Sequence, residues 1–185
     1  MNPRSLLEHL VDFERRVRRV YSSWGDRSDF SAELRFFWDC MAEDERHHLA
    51  ILERSTGLLD MIDAPPPVST ETLATIAAQV TAAEIAAQQS SLSSNEALRL
   101  TLELEGSELN NLDAAWFRGF RSTVTSLLKA MMPEEEVHLR RLVEAVHQFT
   151  TDDGLQEQAA ALWATYLQQH SRTALTTPIA KIPTQ

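Results

Sequence analysis

Two short stretches, Glu45-Arg46-His47-His48 and Glu135-Glu136-Val137-His138, constrain this chain more than any other feature. Each is a Glu-x-x-His step, which on a helix puts both side chains on one side, about one turn apart. Each step also lies within an apolar run at helical spacing. The first run is Leu34, Trp38, Met41, Glu45, His48 and Leu52. The second is Val124, Leu128, Met131, Glu135, His138, Leu142 and Phe149. The acids and imidazoles therefore belong to the stripe that a fold buries. A buried carboxylate costs several kcal/mol unless it is paired, protonated or bound to a cation.

A single step of this kind carries little weight. With 17 Glu and 6 His in 185 residues, chance alone supplies roughly half of one Glu-x-x-His at this helical spacing. A third step, Glu144-x-x-His147, is a decoy. His147 follows His138 by nine residues, and at about 100° per residue it points to the opposite, solvated face.

The remaining acids of interest fall on two further stripes. Leu7, Leu10, Glu14, Val17, Tyr21 and Trp24 recur at steps of three and four, with Glu14 the one acid among them. Leu98, Leu102, Glu105, then Glu108 or Leu109, Leu112 and Trp116 form the other. These assign one inward acid to each of two helices and a Glu-x-x-His to each of two more. The order acid, then Glu-x-x-His, occurs twice along the chain. The residues offered are Glu14, Glu45, His48, Glu105, Glu108, Glu135 and His138. Carboxylates can bridge two ions and each imidazole can complete one. With no thiolate in the set, the ligands suit iron or manganese, and less well zinc. The alternative for the same residues is a buried polar network without metal.

The rest of the chain reads as helix. It has 5 Gly, 43% hydrophobic residues and 24% charged residues, which suits an all-α protein better than one rich in turns and strands. Helix 1 covers Leu6 to Trp24, with Gly25 beyond its C-cap. Asp29 or Ser31 caps helix 2, which Gly57 stops. Ser69 caps an Ala- and Gln-rich crossover helix with the stripe Leu73, Ile76, Val80 and Ile85. Pro133 falls two residues before Glu135, and the phase of the flanking apolar residues predicts a kinked continuous helix. Leu155 to His170 forms a further helix, with Leu162, Trp163 and Tyr166 on one side. Residues 171–185 read as a loose tail.

These helices predict a four-helix bundle over residues 1–150, with a long crossover containing an extra helix. Residues 151–185 supply a C-terminal fifth helix and the tail. The net charge of −10 argues against nucleic acid or an anionic membrane as partner. No apolar stretch reaches the length of a membrane span, and residues 1–13 lack a secretory signal's apolar region. Cys40, the one cysteine, rules out an intrachain disulfide or a four-thiolate iron site. A cytoplasmic setting is expected.

In these motifs the chain resembles the ferritin-like superfamily, and within it the rubrerythrins. The resemblance rests on Glu14 with Tyr21 seven positions on, Glu45 to His48, Glu105-Gly106-Ser107-Glu108 and Glu135 to His138, and covers about residues 5–150. It implies a ferritin-like fold and two iron ions as cofactor. The implied activity is reduction of hydrogen peroxide, or oxygen, by a non-haem di-iron oxidoreductase. It also implies that Glu108 is the catalytic carboxylate, exchanging as a ligand during redox cycling. Rubrerythrins often carry a four-cysteine rubredoxin module, which is lacking here, so an external electron donor is expected. A homodimer is expected as the assembly. Two other functions are compatible with the motifs: iron handling as a ferroxidase, and a bundle with a structural di-metal site.

Overall fold

The computed structural model describes residues 1–63, 67–107, 116–131 and 135–174; for 128–131, 135 and 169–174 it describes the backbone alone. The chain is all-α. Helix α1 spans Pro3–Gly25 and α2 Ala32–Ser55, followed by a 3-10 helix at Thr56–Met61. Then come α3 at Thr70–Ala87, α4 at Ser94–Glu105, α5 at Ser122–Met131, α6 at Glu135–Phe149 and α7 at Asp153–Ala174. Among the described residues there is no β-strand, only an isolated bridge between Ile62 and Phe120.

Helix starts follow local chemistry. The Asn2, Ser31, Ser69 and Ser93 side chains accept from the backbone N–H three residues on, at Ser5, Leu34, Thr72 and Glu96. Each such cap contributes about 1 kcal/mol. Of the two candidates for the start of α2, Ser31 is the cap, and Asp29 instead pairs with Arg27.

Helix α1 packs along α2, α3 lies against α1 and α4, and α6 contacts α2, α4 and α7. Leu10, Tyr21, Trp24, Trp38, Met41, Leu52, Val80, Leu98 and Leu142 are fully buried between them. Leu155 and Ala159 of α7 join this core. Arg16 of α1 grips Glu84 of α3 through two hydrogen bonds of 3.1 and 2.7 Å, fixing the crossover helix to the rest.

Several sequence expectations are corrected. Helix α2 ends at Ser55, close to the expected stop, but the chain passes at Thr56 into a 3-10 turn that contains Gly57. Gly25 is not a left-handed cap, since no described glycine has positive φ. A Cβ there would meet the exposed Asp39 carboxylate of α2, which would have to turn aside. Ile85 is 56% exposed, and Ala83 and Ala86 take the inward positions instead. Helix α4 ends at Glu105, with Gly106 as C-cap donating to Leu102 O. The stripe drawn on to Trp116 as one helix is therefore interrupted. Glu108, Leu109 and Leu112 lie outside the described residues, as do Pro133 and the kink expected there. Of the expected tail, residues 171–174 belong to α7, and 175–185 lie outside the described residues. Among the described residues, no helix is long and apolar enough to cross a membrane.

Candidate metal centre

The stripe residues converge from four helices. Glu14 comes from α1, Glu45 and His48 from α2, Glu105 from the last position of α4, and His138 from α6. Glu14, Glu45, Glu105 and His138 are buried, with exposures of 1, 4, 6 and 3%. Burial follows from the apolar neighbours at three- and four-residue steps in each helix.

They form two groups that share Glu45: Glu14, Glu45 and His48, and Glu45, Glu105 and His138. Glu45 Oε2 lies 3.0 Å from His48 Nδ1, and Glu45 Oε1 lies 3.9 Å from His138 Nε2. His48 Nδ1 is also 4.0 Å from Glu14 Oε2, and His138 Nε2 is 3.0 Å from Glu105 Oε2. The two imidazole centroids are 5.9 Å apart.

These distances fit a cation. Two ligand atoms, each about 2.1 Å from one ion, stand roughly 3 to 4 Å apart at tetrahedral or octahedral angles. The donors are carboxylate oxygen and imidazole nitrogen, which divalent first-row ions accept. The structure therefore places two buried Glu/Glu/His groups that can hold metal ions.

Around the ligands stands a second layer of polar contacts. Tyr21 OH donates to Glu105 Oε1 at 2.7 Å. Burial, then the Glu105 and Glu45 charges, push the Tyr21 phenol well above its ordinary range, so it stays protonated and remains a donor. His138 Nδ1 lies 2.9 Å from Asp44 Oδ2, and Arg141 holds the same Asp44 oxygen. Burial alone would lower the His138 pKa. The Glu105 charge and the Asp44 hydrogen bond outweigh it and raise the imidazole well above 6.5. Asp44 responds in the opposite sense: burial opposes its charge, but His138 and Arg141 prevail and lower its pKa.

Of the sequence candidates, Glu14, Glu45, His48, Glu105 and His138 come together. Glu135 opens α6 one turn before His138, but its side chain, like all of Glu108, lies outside the described residues. Glu136, His47, His9 and His147 are exposed, as the helical phase requires. Asp44 and Arg141 escaped the stripe argument because Asp44 precedes the ligand Glu45 and is off the apolar face. The available signal was Arg141 three residues after His138, on the same side of α6, with an acid across on α2. Cys40 is half-buried, and burial raises its thiol pKa, which makes it a poor nucleophile.

No protein-family model matches the chain, and neither the curated proteins nor the solved structures contain a significant match to it.

Proposed function

We propose that this chain is a non-haem di-iron oxidoreductase that reduces hydrogen peroxide, or oxygen, with electrons from an external donor. The observation that carries the reading is Glu45, one buried carboxylate with an oxygen facing each of two imidazoles on different helices. A lone ion has no need of that arrangement, whereas a pair of ions shares such a ligand. Its neighbours Glu14 and Glu105 bring the charge to three carboxylates, which favours two divalent cations over none.

When bound, two iron ions supply two electrons and Lewis acidity. The chain's own residues set the conditions for that chemistry. The four helices keep bulk water away from Glu14, Glu45, Glu105 and His138. Asp44 fixes the ring orientation of His138 through Nδ1, leaving Nε2 to face the cluster. Tyr21 keeps a proton at its hydroxyl, directed at Glu105 Oε1. The resemblance of the Glu105-x-x-Glu108 step to rubrerythrins supports the peroxidase form of the reading, with Glu108 as exchanging carboxylate and a homodimer as the assembly. Manganese is an alternative occupant of the same donor set.

A second reading, ferroxidase, is favoured by one observation. The His48 side chain is 16% exposed, which leaves an edge of the cluster open to incoming ions. Stopped-flow oxidation of the diferrous protein tests the choice. The peroxidase reading expects hydrogen peroxide to be the faster oxidant. A faster reaction with oxygen, together with turnover of excess ferrous iron, would replace it with the ferroxidase reading.

A further inference from the structure

The sequence repeats acid and Glu-x-x-His twice, which suggests two equivalent ion positions. The side chains break that equivalence. His138 is 3% exposed and faces the cluster through Nε2, while its Nδ1 is held by Asp44 and Asp44 in turn by Arg141. On the same side, Glu105 Oε1 is held by the buried Tyr21 hydroxyl. His48 faces the cluster through the opposite nitrogen, Nδ1, and has 16% of its side chain exposed. Among the described residues, no hydrogen-bond partner braces His48 Nε2. One group is thus oriented in advance and shielded; the other has a ligand at the solvent edge that no described residue braces through its second ring nitrogen.

We propose that the two positions are functionally unequal. Glu45, Glu105 and His138 form a high-affinity position for a resident divalent cation, with Asp44 and Arg141 as its positioning residues. Glu14, Glu45 and His48 form a lower-affinity position whose cation exchanges with solvent past His48. The inference rests on the di-metal reading given above and assigns a different role to each half of the centre. The physical cause is preorganisation. A braced imidazole loses less freedom on binding a cation and is more basic toward it, and losing such a brace weakens metal affinity by about ten- to a hundredfold. Glu45, Glu105 and His138 are also all buried, which holds an ion of that group away from solvent.

Titration of the metal-free full-length protein with cobalt(II), followed by its visible absorption and by calorimetry, tests this. Two sequential steps are expected, the first at least tenfold tighter. Asp44→Ala should weaken the first step by about ten- to a hundredfold and leave the second within about threefold. Asp44→Asn, which keeps the volume and an acceptor oxygen, should show a smaller loss in the same step and guards against a folding defect in the alanine variant. His48→Ala should abolish the second step and spare the first. Two steps of equal affinity overturn the inequality while leaving the di-metal reading intact. So does an Asp44→Asn variant whose first step is unchanged, or a His48→Ala variant that loses the tighter step. No cobalt binding to the wild-type protein would overturn the metal reading itself and this inference with it.

Discussion

The Tyr21 hydroxyl donates a 2.7 Å hydrogen bond to Glu105 Oε1, joining residues 84 positions apart at the centre of the helices. The ring stacks on Trp38 at 6.0 Å and lies against Trp24 at 5.8 Å, so its position is set by packing and its hydroxyl by the acid. Tyr21→Phe keeps the packing and removes the donor from a buried carboxylate. A loss of about 1 to 3 kcal/mol in metal-free stability is expected, read by urea denaturation. An unchanged midpoint would mean that Glu105 is protonated or finds another donor at no cost.

Helical phase in the sequence puts Glu135 on the apolar stripe of α6 and Glu136 off it. Glu136 is exposed, and Glu135 is about 100° away around the helix. Glu135→Ala is expected to lose metal, and Glu136→Ala to retain wild-type content, by elemental analysis of the purified variants. Equal content in both would remove Glu135 from the ligand set.

The Arg16–Glu84 pair predicts an acid-sensitive link between α1 and α3. The Arg16 hydrogen bond holds the Glu84 carboxyl below its ordinary value of 4.5, against the opposing effect of burial. A depressed folded-state pKa contributes stability above the unfolded value and loses it as pH falls through the folded one. Glu84→Gln should therefore cost about 1 kcal/mol at pH 7, the upper end for a partly exposed pair with two hydrogen bonds. The gap from wild type should narrow as pH falls below 4.5, in thermal melts taken across that range. A gap independent of pH would show that the charge of Glu84 is not what binds the crossover helix.

The inward acids were readable in the sequence because each sits in phase with large apolar residues. Glu14 is flanked by Leu10 and Val17, and Glu45 by Met41 and Leu52, all now buried. Helical phase identifies a face, but not what stands opposite it. The brace of Asp44 on His138 spans 94 positions and lies off both apolar stripes, so periodicity had no access to it. Ile85 fails for another reason: in an Ala-rich helix, small residues at Ala83 and Ala86 allow the close approach and leave the larger side chain outside.

In the peroxidase reading proposed above, Glu108 is the exchanging carboxylate. Glu108→Ala is expected to slow oxidation of the diferrous protein by hydrogen peroxide more than oxidation by oxygen, in stopped-flow absorbance. If peroxide is faster in wild type and the variant changes neither rate, the activity stands and the role of Glu108 does not.

Glu45 joins the two groups, since both use it and Glu14 belongs to one alone. The direct test is metal content per chain after iron(II) loading and desalting without oxygen, for wild type, Glu14→Gln and Glu45→Gln. Circular dichroism on the same samples checks that each variant is folded. Two ions are expected in wild type, about one in Glu14→Gln and none retained in Glu45→Gln. A folded Glu45→Gln variant that keeps two ions, or a wild-type chain that binds none, would contradict this expectation.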